Sequence, residues 1–255
     1  MSCDIVDLRA QSQAMGTLLR SQPLVEALCE FRFEVTGGWD LTLPGLFYAE
    51  VKDAFPLQEP VDEVSFQVEL GPVQGRQQLV KTQRLQLWNE NRSATLQIGK
   101  NLLSINQLNP YPGWEDFKAL IQNAFSKYSN INSGFQFKGI ALRYINHIKP
   151  TSKEGFSIDD YLTTIPVFPG PLNLPLTRFQ QSYGFIEQDL SSLLMHRTDV
   201  MENEKDKETF ILLDLECIRR EIPQFNDEQE INDWVNHWLE GAHQIIESAF
   251  ISSLN

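Results

Sequence analysis

From Val25 to Val35 the chain alternates without a break: Val25, Ala27, Cys29, Phe31, Phe33 and Val35 fall on one side, Glu26, Glu30, Arg32 and Glu34 on the other. Period two with one apolar side predicts a strand buried on one face. Gly37-Gly38 ends it. Residues 44–55 predict a short helix, with Pro44 in the first turn and Leu46, Phe47, Val51 and Phe55 near helical spacing. Three strands are expected next, Val64–Leu70, Arg84–Asn89 and Ala94–Asn106, the last two joined by a turn at Asn89-Glu90-Asn91-Arg92. After Asn109-Pro110-Tyr111-Pro112-Gly113 a helix begins near Trp114, its stripe running Trp114, Phe117, Leu120, Ile121, Ala124, Phe125, Tyr128.

The pattern then starts again. A strand is expected over Phe135–Lys149, a short helix over Ser157–Thr163, and a rigid loop through Pro166, Pro169, Pro171 and Pro175. Strands follow at Arg178–Gln188, Leu193–Met201 and Thr209–Ile218. The charge run 202–208 between the last two reads either as a solvated hairpin tip or as a docking loop. A long helix closes the chain over 228–252, capped by Asn226 or Asp227, with Ile231, Trp234, Val235, Trp238, Leu239, Ala242, Ile245, Ile246, Ala249 and Phe250 on its apolar stripe. Both halves thus read strand, short helix, three strands, long helix. Leu120-Ile121 with Ala124-Phe125 match Ile245-Ile246 with Ala249-Phe250, which points to a duplication; chance similarity of two amphipathic helices is the competing explanation. Residues 1–22 are a peripheral lead with a helical turn around Met15 to Leu19.

Composition narrows the class without naming a reaction. The chain has 255 residues, 42% hydrophobic and 22% charged, which fits an ordinary globular protein with a core needing no metal or disulfide staple. Thirty-four acids against twenty-one Lys and Arg give a net charge of −13, which disfavours binding to DNA or anionic membranes through bulk charge. Cys3, Cys29 and Cys217 are far apart and form no CxxC pair, as expected of reduced thiols. No apolar run reaches the ~20 residues of a membrane span, and MSCDIVDLRAQ lacks the basic-then-apolar pattern of a signal peptide. The expectation is a cytoplasmic protein.

Candidate chemistry is sparse. Asp214 and Glu216 lie two apart on one strand face beside Phe210, Leu212 and Ile218. Such a pair can hold a divalent cation or share a proton, or it can pair with an arginine on the next strand, Arg143 being the obvious partner. The apolar flanks favour pairing. The histidines, His147, His196, His237 and His243, form no HExxH or HxH spacing, and His243 is placed to bond from helix to sheet. Arg143 and Asn146 project to opposite faces of their strand. No GxSxG, GxxxxGK or GxGxxG occurs, and neither the loop Gly71–Gly75 nor Gly99-Lys100 precedes a helix as a phosphate cradle would. The densest positive stretch, Lys138, Arg143, Lys149 and Lys153, allows a local basic groove for RNA, although the aromatic residues read as core.

Several short stretches carry a resemblance. Pro23-Leu24-Val25-Glu26-Ala27 running to Phe31-Arg32-Phe33, Asn109-Pro110-Tyr111-Pro112-Gly113-Trp114 with Phe117, Arg143-Tyr144-Ile145-Asn146, Leu213-Asp214-Leu215-Glu216, and His243 with Phe250 occur in that order over residues 23–250. In this the chain resembles a sporadically distributed, uncharacterised family of prokaryotic proteins. The resemblance carries over no catalytic residue. The family's patchy occurrence implies host-defence or toxin–antitoxin surroundings.

The expected fold is α+β: a mainly antiparallel sheet from two similar β-α-β-β-β-α halves, 23–130 and 131–255, forming one compact domain with two long helices on one face. It resembles in outline the duplicated saddle of TATA-binding-like folds, a likeness of fold alone. Phe125 and Phe250 should then be buried equally, and Gln122 and Glu247 should lie on exposed faces. The leading functional reading is a non-enzymatic binding or regulatory protein working through protein contacts, with a homo-oligomer left open and no cofactor or metal. The alternative is an enzyme or small-ligand sensor using Arg143, Asp214, Glu216 and His243 in a pocket between sheet and helices; the third is an RNA-binding module using Lys138, Lys149 and Lys153.

Overall fold

The computed structural model describes residues 23–35, 40–70, 75–132, 135–150, 158–163, 179–202 and 208–255, with backbone alone for 35, 63–70, 75–82 and 202. The turn expected near Met15, the loop through Pro166–Pro175, Cys3, Lys153 and most of the charge run after Met201 lie outside the described residues.

Among the described residues nine strands form one antiparallel sheet, with three α-helices. In chain order they are β1 Leu24–Val35, α1 Leu43–Val51, β2 Leu57–Leu70, β3 Gly75–Trp88, β4 Ala94–Gly99, β5 Leu102–Leu108, α2 Trp114–Ile131, β6 Phe135–Ile148, β7 Gln180–Glu187, β8 Ser192–Glu202, β9 Thr209–Arg219 and α3 Glu228–Ser253. The strand order across the sheet is β2-β3-β4-β5-β1-β6-β9-β8-β7. Where the sequence predicts one strand over Ala94–Asn106, the structure has a hairpin, Gly99 facing Leu102 across Lys100-Asn101. Both arms are buried, so the apolar run continues through the turn and hides it. The first half therefore has four strands between its helices, not three. The short helix expected over Ser157–Thr163 is a single 3-10 turn, Ile158–Asp160.

Packing groups the chain into two compact units. Among the described residues, one comprises Leu28–Ala141 and Arg219–Asn236; the other comprises Leu142–Ile218, His237–Asn255 and residues 23–27. Neither is a continuous stretch, since β1, β6 and α3 each contribute to both.

The core of the first unit is aromatic. The α2 stripe Phe117, Ile121, Ala124, Phe125 and Tyr128 is fully buried, at the spacing one helix face requires. Phe125 stacks on Phe31 with ring centres 4.4 Å apart, and Tyr128 stacks on Phe33 at 4.6 Å, so the inward side of β1 meets the inward side of α2. Phe137 of β6 touches both Phe125, at 5.9 Å, and Trp234 at the start of α3, also at 5.9 Å. Gln122 donates to Asn236 at 2.7 Å, so it is a helix-to-helix contact and not the free surface position expected from the sequence.

In the second unit the inward positions of β9, Ile211, Leu213, Leu215 and Cys217, are all fully buried, and α3 covers them with Trp238, Leu239, Ala242 and Ile246. Asp227 caps α3 by accepting from the Glu230 amide at 2.9 Å. The helix crosses close above the turn before β8: a Cβ on Gly241 would come within 2.7 Å of the Leu190 side chain, which would have to move aside. At the far end, Thr163 donates to the Ser252 and Ser253 carbonyls and Asn255 donates to the Asp159, Tyr161 and Leu162 carbonyls, fixing the chain's last turn. Phe250 is only half-buried while Phe125 is 1% exposed, so the two do not occupy matching depths.

Candidate functional site

Three strands of the second unit bring four charged side chains together. Arg143 on β6 grips Asp214 on β9 with both ends of its fork, Nε to Oδ1 at 2.7 Å and Nη2 to Oδ2 at 2.8 Å. Arg197 on β8 stands directly opposite Asp214 in register and reaches Oδ2 at 3.1 Å; its other arm meets Glu216 Oε2 at 2.7 Å. Two guanidiniums and two carboxylates thus form an alternating lattice, Arg143–Asp214–Arg197–Glu216, across β6, β9 and β8, with Glu26 adding negative charge near Arg143. The Asp214 hydrogen bond holds the Arg143 pKa above its ordinary value despite burial, and Glu216 does the same for Arg197 against the opposing pull of burial. Both Asp214 oxygens and Oε2 of Glu216, oxygens a cation would use, are engaged by arginine. Arg197 escapes a reading of sequence because it lies seventeen residues from Asp214 and becomes its neighbour only through the β8–β9 register.

His243 does not join this cluster. Its Nδ1 lies 3.0 Å from the Tyr144 hydroxyl, and Tyr144 follows Arg143 on β6, so it points to the other face of the strand. A pocket combining Arg143, Asp214, Glu216 and His243 is therefore not what the fold builds: the sheet lies between the histidine and the acids. Asn146, on the helix side with Tyr144, is buried and donates to the Leu213 carbonyl at 3.2 Å. Lys138 pairs with Glu34 at 2.7 Å and Lys149 with Glu208 at 3.2 Å, so each described lysine of the basic stretch has an acidic neighbour. An open groove of about 890 Å³ runs between the end of α2, the start of β6 and residues 220–231, lined by Phe135, Phe137, Lys138 and Phe225 among others. It contains none of Arg143, Asp214, Glu216 or His243.

The remaining reactive groups are enclosed. Burial pushes the Cys217 thiol up to about 12, and burial, with Glu30 beside it, raises Cys29 well above a normal thiol. In a Cys3→Ser protein, a thiol reagent should label Cys29 and Cys217 at least about a hundred-fold more slowly in buffer than in denaturant; equal rates would contradict this packing. Ser192 Oγ accepts from Trp238 Nε1 at 3.0 Å and donates to the Leu190 carbonyl. Ser253 Oγ donates to the Ala249 carbonyl at 2.6 Å, which leaves it to accept from His196 Nε2 at 2.7 Å. That serine is a structural link, since its proton is already directed at the helix. Among the described residues no three His, Cys, Asp or Glu side chains converge as a metal-binding group.

His196, buried under α3, and His147, stacked on Phe210 at 4.1 Å, both have their pKa lowered by burial, His147 also by Lys149. A base with its folded pKa below the unfolded 6.5 takes up a proton on unfolding. Its contribution to stability is complete above 6.5 and is lost as pH falls through that value toward the folded pKa. The urea midpoint should therefore drop between about pH 7.5 and about pH 5.5, and a His147→Gln/His196→Gln protein should show a shallower drop. An unchanged slope in the double variant would contradict the assignment.

The outer strand of the second unit is unlike the others. Six of the eight positions of β7 are exposed, and three of them are large and apolar: Ile186 at 82%, Phe185 at 52% and Tyr183 at 41%. Tyr183 stands opposite His196, which bonds α3, so Tyr183 and Phe185 lie on the helix side. Ile186 stands opposite Leu193 and so shares the face of the arginine–carboxylate lattice. The adjacent apolar pair Phe185-Ile186, which breaks the alternation a half-buried strand needs, is the sequence signal that marks this place.

Compared with known proteins, the chain matches no family model and no curated sequence. Among the described residues no helix is long and apolar enough to cross a membrane.

Proposed function

We propose that this is a non-enzymatic binding or regulatory protein of the cytoplasm that works through protein–protein contact, in the defence or toxin–antitoxin surroundings its sequence resemblance implies. The observation that carries the reading is β7, an outer strand with large apolar side chains exposed on both of its faces. An edge of this kind is a template for another chain unless charge or proline blunts it. Within β7 there is no lysine, arginine or proline, and a single acid, Glu187. The charged groups nearest to an active-site constellation satisfy one another instead.

An internal duplication is part of this proposal. Outward from β1 the sheet runs β5, β4, β3, β2, and outward from β6 it runs β9, β8, β7, with α2 following β5 and α3 following β9. Phe137, touched by Phe125 and Trp234, supports placing both long helices on one side of the sheet.

The test uses the whole chain as bait in cells of its source. Proteins held by the wild type, an untagged copy of itself included, should be lost with Ile186→Lys and retained with Leu41→Lys, an equally exposed apolar position elsewhere. Identical captures by all three baits would overturn the reading.

A further inference from the structure

We infer that β7 pairs with β7 of a second copy of this chain, continuing the sheet across a two-fold axis at Gly184. This rests on the reading of β7 as the contact edge and names the partner. Among the described residues no strand lies outside β7. Its exposed apolar groups sit on both faces, Tyr183 and Phe185 on one and Ile186 on the other, so a partner docking on one face would leave the other wet. An added strand covers both at once.

The strand is complementary to itself in one register. Antiparallel pairing about Gly184 sets Tyr183 against the second copy's Phe185 twice, Ser182 against Ile186, and Gln181 against Glu187. Aromatic pairs directly opposite on one face are favourable, and each Glu187 meets an amide donor, not another carboxylate. That placement matters in a chain of net charge −13, for which a second copy is otherwise repelled. The edge has no acidic cluster that would select a basic partner instead. With the axis perpendicular to the sheet, side chains of one face in each copy stay on the same side, as the pleat demands.

Sedimentation of the intact protein should give twice the chain mass, and Phe185→Lys and Ile186→Lys should each return it to the single-chain mass while Leu46→Lys does not. Folding of each variant is read from its circular dichroism. Register is tested by Gly184→Cys in a Cys3→Ser background. Residue 184 faces itself with Cα atoms about 4.5–5.5 Å apart, inside the disulfide range, and a Cβ there makes ordinary contacts of 3.4 Å with Leu193 and 3.5 Å with Met195. Mild oxidation should crosslink Gly184→Cys chains and leave Gln180→Cys chains single. Added salt should leave the dimer unchanged or tighten it, because it screens like charges. A single-chain mass at the highest soluble concentration overturns the inference, as does a dimer that survives both lysine variants, one that salt dissociates, or failure of the Gly184→Cys crosslink. If the mass is single while the Ile186→Lys bait still loses captured proteins, the contact edge stands and only its occupant is wrong. If neither changes, both readings fall.

Discussion

Phe125→Ala is expected to lower the unfolding free energy by about 3–5 kcal/mol, the range for removing a fully buried aromatic ring. Phe125 is 1% exposed and lies against Phe31, Phe135 and Phe137, so its loss opens a void that three rigid rings on two strands cannot close. Phe250→Ala should cost much less, about 1–2 kcal/mol, because that ring is already half in water. Urea unfolding of the two variants measures the difference. Equal losses would mean that the two helices are packed alike, as the matching Leu120–Phe125 and Ile245–Phe250 stretches imply from sequence alone.

Asp214→Ala should be the costliest polar substitution, at about 3 kcal/mol. It strands the Arg143 guanidinium, which its carboxylate now holds by two bonds, and takes one bond from Arg197, which keeps Glu216. The figure lies at the low end of the range for broken buried pairs because both arginines keep about a third of their side-chain surface in solvent. Replacing all four residues by apolar ones, Asp214→Leu and Glu216→Leu with Arg143→Met and Arg197→Met, should recover most of the loss, since none of the four charges is then left unpaired. A quadruple variant no more stable than Asp214→Ala would show that the lattice is worth more than the cost of burying its charges.

Strands with one wet face were legible because their alternation is complete. β1 declares itself in Val25–Val35, and the structure buries its Ala27, Cys29, Phe31 and Phe33. β2 begins at Leu57, seven residues before the alternation is clear, since Gln58, Glu59, Pro60 and Asp62 look like loop; the proline is tolerated because β2 is an outer strand. The β4–β5 hairpin was hidden for the opposite reason, with both arms buried on both faces and no polar break beyond Lys100-Asn101. On β6 the burial pattern slips by one residue between Phe137 and Ile140, so period two drawn through the whole strand misplaces half of it. Spacing along one strand revealed Asp214 with Glu216. Their second arginine and the separation of His243 depend on strand order and register, which no local pattern carries. The same holds for β7, whose composition becomes meaningful only once it is known to lie at the end of the sheet.

Amide hydrogen exchange across Gln180–Glu187 reads the contact edge most directly, whatever covers it. In the assembled wild-type protein the β7 amides that point away from β8 should exchange slowly, and in Ile186→Lys those same amides should exchange at the rate of an open strand edge while the β8 and β9 amides keep their protection. Equally fast exchange of the outward amides in both proteins would mean that nothing pairs with this edge, and the account of the protein as one that acts through it would be wrong.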